Sequence, residues 1–152
     1  MSYYTQNTDA LLYIGTSIAD PLPAPGADTF TEVPLTQIIT PPKNTQSVGF
    51  FNVTNDTVKR SVGGKLGEQT IEGNLVIDWT TVPHQNMFAD SLIAGGRKRN
   101  WRIKYPDAND RQLDFVAFVS DWSEEPFDAT GDAKEHVAAY KLAVDGAVTV
   151  TP

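Results

Sequence analysis

Cysteine is absent from the chain. Neither a disulfide framework nor a thiolate site can therefore exist, and nothing speaks for an oxidising compartment. Histidine is scarce: His84 and His136 stand on different predicted elements with no motif around either. No segment approaches the apolar length needed to span a bilayer. The opening residues MSYYTQNTDALLYIG carry neither a basic region nor a long apolar run, so no signal peptide is expected. Lysine and arginine are outnumbered 12 to 19 by acids, for a net charge of −7. That balance argues against a general nucleic-acid binder, whose affinity comes from clustered basic side chains.

Catalytic constellations are missing too. Gly63-Gly64-Lys65-Leu66-Gly67 lacks the spacing of a phosphate loop. Glu124 and Glu125 are adjacent, so in an extended chain they point apart and form a poor acid–base pair. No metal-ligand spacing occurs. The chain is read as a non-enzyme, with no cofactor and no metal.

What is present is β-strand pattern. Glu68 to Thr81 (EQTIEGNLVIDWTT) alternates Ile71, Gly73, Leu75, Ile77, Trp79 against Thr70, Glu72, Asn74, Asp78, Thr80. Such period-2 alternation puts one face on a core and the other in water. Fully straight, the stretch would reach roughly 45 Å, so Gly73 is the expected place for a bend or bulge.

Further strands are expected at Ala10–Ile18, Phe30–Ile39 (with Pro34 forcing an edge or bulge), Gln46–Thr54, Asn100–Tyr105, Gln112–Trp122, Glu135–Val144 and Ala147–Val150. Phe50 and Val48 on one side and Phe51 and Val53 on the other predict burial of the fourth stretch on both faces. One helix is predicted, Pro83 to Ala94, started by Pro83 and stopped by Gly95-Gly96, with Phe88, Ala89, Leu92 and Ile93 as its packing stripe. At 152 residues this makes a single all-β domain, a sandwich or barrel with one flanking helix.

Three features call for a function. Residues 1–9 form a polar arm that would fray unless tied down. The thirteen residues from Asn55 to Gly67, including Lys59, Arg60, Gly63, Gly64 and Lys65, read as a loop far longer than a usual hairpin connection. The charges are also segregated. Arg97, Lys98, Arg99, Arg102 and Lys104 fall within eight positions, whereas Asp121, Glu124, Glu125, Asp128, Asp132 and Glu135 fall within fifteen. The charged patches are read either as two solvated faces or as a complementary pair meeting within the domain or between copies. The candidates for such inter-subunit contacts are Arg97, Arg99, Arg102, Lys104, Glu124, Glu125 and Asp128.

In order along the chain, LYIGT (12–16), FTEV (30–33), FNVTN (51–55), GEQTIEGN (67–74), RNWRI (99–103) with YPD (105–107), FVAFV (115–119) and DGAVTVTP (145–152) resemble the tail tube (major tail) proteins of long-tailed, non-contractile bacteriophages. The resemblance covers nearly the whole chain, except the acidic stretch 123–132. It implies a β-sandwich with a flanking helix that assembles into stacked, hexameric rings around a channel for DNA. It also implies partners: other copies of the chain, a tape-measure protein, a tail terminator and tail-tip proteins. The place of action would be the virion tail, after assembly in the host cytoplasm. Residues 55–67 would then be an assembly loop ordered by stacking. Glu72, Asn74 and Asp78, on the solvent side of the long strand, would face the channel and repel passing DNA. Related tubes occur in gene-transfer particles, contractile tails and secretion systems, which stay open as alternatives. So does a carbohydrate-binding sandwich using Trp79, Trp101 and Trp122.

Overall fold

The computed structural model describes residues 10–51, 60–106, 110–131 and 134–151. The strands are β1 (Leu11–Gly15), β2 (Phe30–Glu32), β3 (Thr36–Thr40), β4 (Gln46–Phe51), β5 (Arg60–Leu66), β6 (Thr70–Val76), β7 (Arg99–Lys104), β8 (Gln112–Glu124) and β9 (Val137–Thr151). A helix, α1 (Val82–Ser91), lies between β6 and β7. Seven strands form one antiparallel sheet in the order β2-β1-β7-β8-β9-β6-β3, while β4 and β5 pair only with each other.

The large sheet curls on itself. β1 and β3 stand on opposite sides of the strand order yet come into contact. The link between β2 and β3 closes the gap: the Val33 amide donates to the Leu12 carbonyl (2.8 Å) and the Val76 amide to the Leu35 carbonyl (3.0 Å). Pro34, which cannot donate to a ladder, sits in this crossing, and Leu35 adopts a positive φ of 60°. The predicted single strand Phe30–Ile39 is therefore two strands broken at Pro34. Inside the curl lies one core, including Leu12, Ile14, Ile71, Leu75, Trp101, Ile103, Phe115, Tyr140 and Leu142.

The alternation predicted for the long strand holds through β6, where Ile71, Gly73 and Leu75 are buried and Glu72 is exposed. The strand ends at Val76, however, and not at Thr81. Asp78 accepts the Thr80 amide (3.0 Å) and hydroxyl (2.6 Å), a local turn that ends the ladder and leaves Trp79 exposed. Nor does Gly73 form a bulge: pairing with β9 runs unbroken from Thr70↔Ala143 to Val76↔Val137. A Cβ there would meet the Ile38 carbonyl and the Tyr140 hydroxyl, so the glycine permits close packing. The register shift lies across from it, between Thr36 and Ile38 on β3.

The helix forms with Pro83 in its first turn but ends at Ser91, capped by Leu92, short of the predicted Ala94; Gly95 and Gly96 follow at positive φ. Its buried face is Pro83, His84, Met87 and Asp90, with Leu92 exposed, and so differs from the predicted stripe. Two polar anchors turn it. His84 Nδ1 accepts the Asp78 amide (3.0 Å) while Nε2 faces the Pro34 carbonyl (2.8 Å), which fixes the ring as the Nε2–H tautomer. Asp90 binds Arg99.

Candidate functional site

Four features of the surface bear on function: the charge clusters, the β8–β9 loop, the open face of the sheet, and the β4–β5 hairpin.

Four of the five basic residues are paired with acids of the same chain, and Arg99 alone is buried. Arg99 is buried and grips Asp90 through Nε (2.6 Å) and Nη2 (3.3 Å). Arg102 stands opposite Asp114 in the β7–β8 register and bonds it at 2.6 Å, with its guanidinium 4.2 Å over the Phe30 ring. Both arginines, expected near inter-subunit contacts, are thus paired within the chain, with acids that lie outside the acidic segment. Three positions apart on β7, they point to opposite faces: Arg99 meets Asp90 of α1, and Arg102 meets its cross-strand neighbour Asp114. Arg97 and Lys98 lie outside the strand and are partly exposed: Arg97 is 3.6 Å from Asp90, and Lys98 is 2.8 Å from Asp145. Lys104, at the far end of β7, has no ion pair among the described residues.

The acidic stretch is a braced loop. The Glu125 carboxylate accepts the Val137 amide (3.0 Å), and the Glu125 amide donates to the Val137 carbonyl (3.1 Å), prolonging the β8–β9 ladder. His136 lies between Glu124 and Glu125, with its nitrogens 3.6 and 3.7 Å from their oxygens. The Phe127 ring stacks on His136 at 4.2 Å, and Asp128 closes a turn on the Thr130 amide (2.9 Å) and hydroxyl (2.8 Å). Those Thr130 hydrogen bonds hold the Asp128 carboxyl below its usual range, as the Thr80 hydroxyl and amide do for Asp78. Phe127, at 86% exposure, is the most exposed large apolar side chain among the described residues. Sequence pattern did not single it out, since one aromatic in a polar loop has no period to detect.

On the open face of the sheet, Glu72 and Asn74 sit side by side on β6. A shallow concavity runs across Thr40, Glu72, Lys141 and Asp121, with Glu72 and Lys141 3.3 Å apart. Asp78 is not part of this band, because it lies in the turn after β6.

The predicted long loop is partly a strand. Arg60, Gly63, Gly64 and Lys65 belong to β5, which pairs with β4 from Phe51↔Arg60 to Gln46↔Leu66. Glycine and charge disguised it, since neither favours strands, but the ladder needs only backbone groups. Gly67 follows β5, its amide bonded to the Thr45 carbonyl at the hairpin base. Asn55 and Lys59 lie outside the described residues, as do the arm 1–9 and Asp132. Val48 on β4 is exposed, contrary to the expectation of burial on both faces. Of the three tryptophans, Trp101 is fully buried and donates to the Ala117 carbonyl (3.2 Å). A sugar-binding row of all three is thereby removed. Trp79 and Trp122 instead flank Phe88 edge-on.

No family model and no curated protein matches the chain. Solved structures do. A chain of the extended sheath–tube complex of the PVC extracellular contractile injection system matches with a TM-score of 0.71 at 11% identity, over 98% of this chain and 92% of that one. The tail of an empty gene transfer agent particle, refined with C6 symmetry, matches at 0.69 and 12% identity, over 98% and 100%. The tail tube of SPP1 matches at 0.58 and 10% identity, over 97% of this chain and 78% of that one. This is the tail tube fold. In this chain, the tail tube fold comprises the curled seven-stranded sheet, the flanking helix and the separate β4–β5 hairpin.

Proposed function

We propose that the chain is a structural, non-enzymatic subunit that assembles with copies of itself into hexameric rings, stacked into the tail tube of a phage-like particle. The observation that carries this reading is the end-to-end match to the tail of a gene transfer agent particle, which covers all of that chain and 98% of this one. The C6 symmetry of that tail supports six copies per ring. Partners in the particle are a tape-measure protein, a tail terminator and tail-tip proteins. A match to the tube-terminating cap of the anti-feeding prophage supports a capped tube. The subunit would work in the virion tail, after assembly in the host cytoplasm.

The proposed lumen wall is the open face of the sheet bearing Glu72 and Asn74. Lined mostly by acids and neutral polar groups, it would let DNA pass without sticking, because weak repulsion summed along a tube is enough to prevent binding. A second reading, the inner tube of a contractile injection system, draws on the match to the PVC sheath–tube complex.

Electron microscopy of the purified protein tests the shared core of both readings. Rings or tubes are expected, and a protein that remains monomeric at high concentration refutes them. Glu72→Lys tests the proposed wall: in particles that deliver DNA, delivery through correctly assembled tubes should slow, and unchanged delivery removes Glu72 from the channel wall.

A further inference from the structure

Beside α1 lies a groove of about 610 Å³ whose apolar lining includes Ile18, Leu22, Ile93 and Val116. Ile18 and Ile93 are exposed in it. Its walls are built in advance. The buried Asn100 amide donates to the Pro23 carbonyl (2.9 Å) and to Asp28 (2.9 Å), and Asp28 in turn accepts the Ser17 amide (3.3 Å). The segment that carries Ile18 and Leu22 is thus pinned to β7. Arg97 and Lys98 line the same groove, together with Asp20. Asp90, the acid beside Arg97, is already neutralised by Arg99 at 2.6 Å, so the Arg97 charge is in surplus.

We propose that this groove receives Phe127 from the β8–β9 loop of a neighbouring copy, an inference that rests on the tube reading. Phe127 has the features of an anchor. It is almost wholly exposed, and it sits on a loop braced at its base by the two Glu125–Val137 bonds. A braced donor loses little freedom on docking. An aromatic that moves from water into an apolar pocket buries about 150–250 Å², which is the usual character of an interface hot spot. The residues around it, Glu124, Glu125 and Asp128, are acids, and the groove offers Arg97, beside a Lys98 already paired with Asp145. The charges therefore favour this pairing and its register. The groove and Phe127 are different patches of one surface, so the contact is head-to-tail, the kind from which closed rings are built.

The test replaces Phe127 by the photo-reactive analogue benzoylphenylalanine, which keeps an aromatic at the position. Irradiated tubes should yield adducts with peptides spanning 18–22 or 93–98 of another copy. Alongside, Phe127→Ala should raise the concentration needed for assembly about tenfold, the loss typical of an aromatic anchor. Tubes that form normally but cross-link elsewhere, or whose Phe127→Ala variant assembles at an unchanged concentration, overturn this contact and leave the tube reading intact. A wild-type chain that stays monomeric overturns both.

Discussion

Removing the Arg99 guanidinium would strand the Asp90 carboxylate inside the protein, with only Arg97, 3.6 Å away and partly exposed, to compensate it. Breaking a buried pair from one side costs about 3–5 kcal/mol, because the remaining charge keeps its desolvation penalty. Arg99→Met should therefore lower the urea midpoint sharply, and Asp90→Asn/Arg99→Met should recover part of the loss. Equal stability of the wild type and the single variant would mean that the pair is not formed. Tyr140 gives a pH test at the same scale. Its buried hydroxyl faces the Ile38 carbonyl at 3.3 Å, and burial pushes its ionisation well above the ordinary range. In the unfolded chain this phenol ionises near pH ~10. A pKa raised by folding contributes stability that is complete below the unfolded value and is lost as pH rises beyond it. Thermal stability should thus fall more steeply above about pH 10 in the wild type than in Tyr140→Phe. Parallel curves would show that Tyr140 does not carry the effect.

Among the elements, the β4–β5 hairpin stands apart, with a ladder of its own and no strand of the large sheet beside it. A two-stranded hairpin alone is at best marginally stable in water. If ring stacking supplies its missing neighbour, amides in Gln46–Phe51 and Arg60–Leu66 should exchange quickly in the monomer and slowly in the tube, while β6 and β8 stay protected in both. Strong protection of the hairpin in the monomer would refute the link between its ordering and stacking. This is also the scale at which the sequence was most and least legible. β6, β7 and β8 announce themselves by alternating apolar residues, although Asn100 and Asp114 are buried between them, and α1 by Pro83 at its start. β5 does not, because Gly63, Gly64 and Lys65 contribute backbone pairing with no apolar rhythm. The helix face was misread for a related reason. Periodicity locates apolar stripes, but His84 and Asp90 are buried by specific polar partners on distant segments, Pro34 and Arg99. Nor does periodicity show that Arg99 and Arg102 find acids within the chain, on α1 and on β8.

At the scale of the whole molecule, each copy carries a net charge of −7, so assembly brings like-charged bodies together. Two kinds of interface respond oppositely to salt. Where ion pairs between copies dominate, screening weakens the contact. Where an apolar anchor dominates, screening mainly relieves the repulsion between subunits. The strongest charge pairs, Asp90–Arg99 and Arg102–Asp114, are spent within the chain, and the proposed contact centres on Phe127. The screening length shrinks from about 30 Å at 0.01 M salt to about 3 Å at 1 M, passing from subunit dimensions to a single contact. Light scattering should accordingly find that assembly begins at lower protein concentration as sodium chloride is raised across this range. The Phe127→Ala variant should show the same salt trend displaced to higher protein concentration, since the repulsion it must overcome is unchanged. Tubes that dissolve on adding salt would put ion pairs at the centre of the interface and remove Phe127 from it.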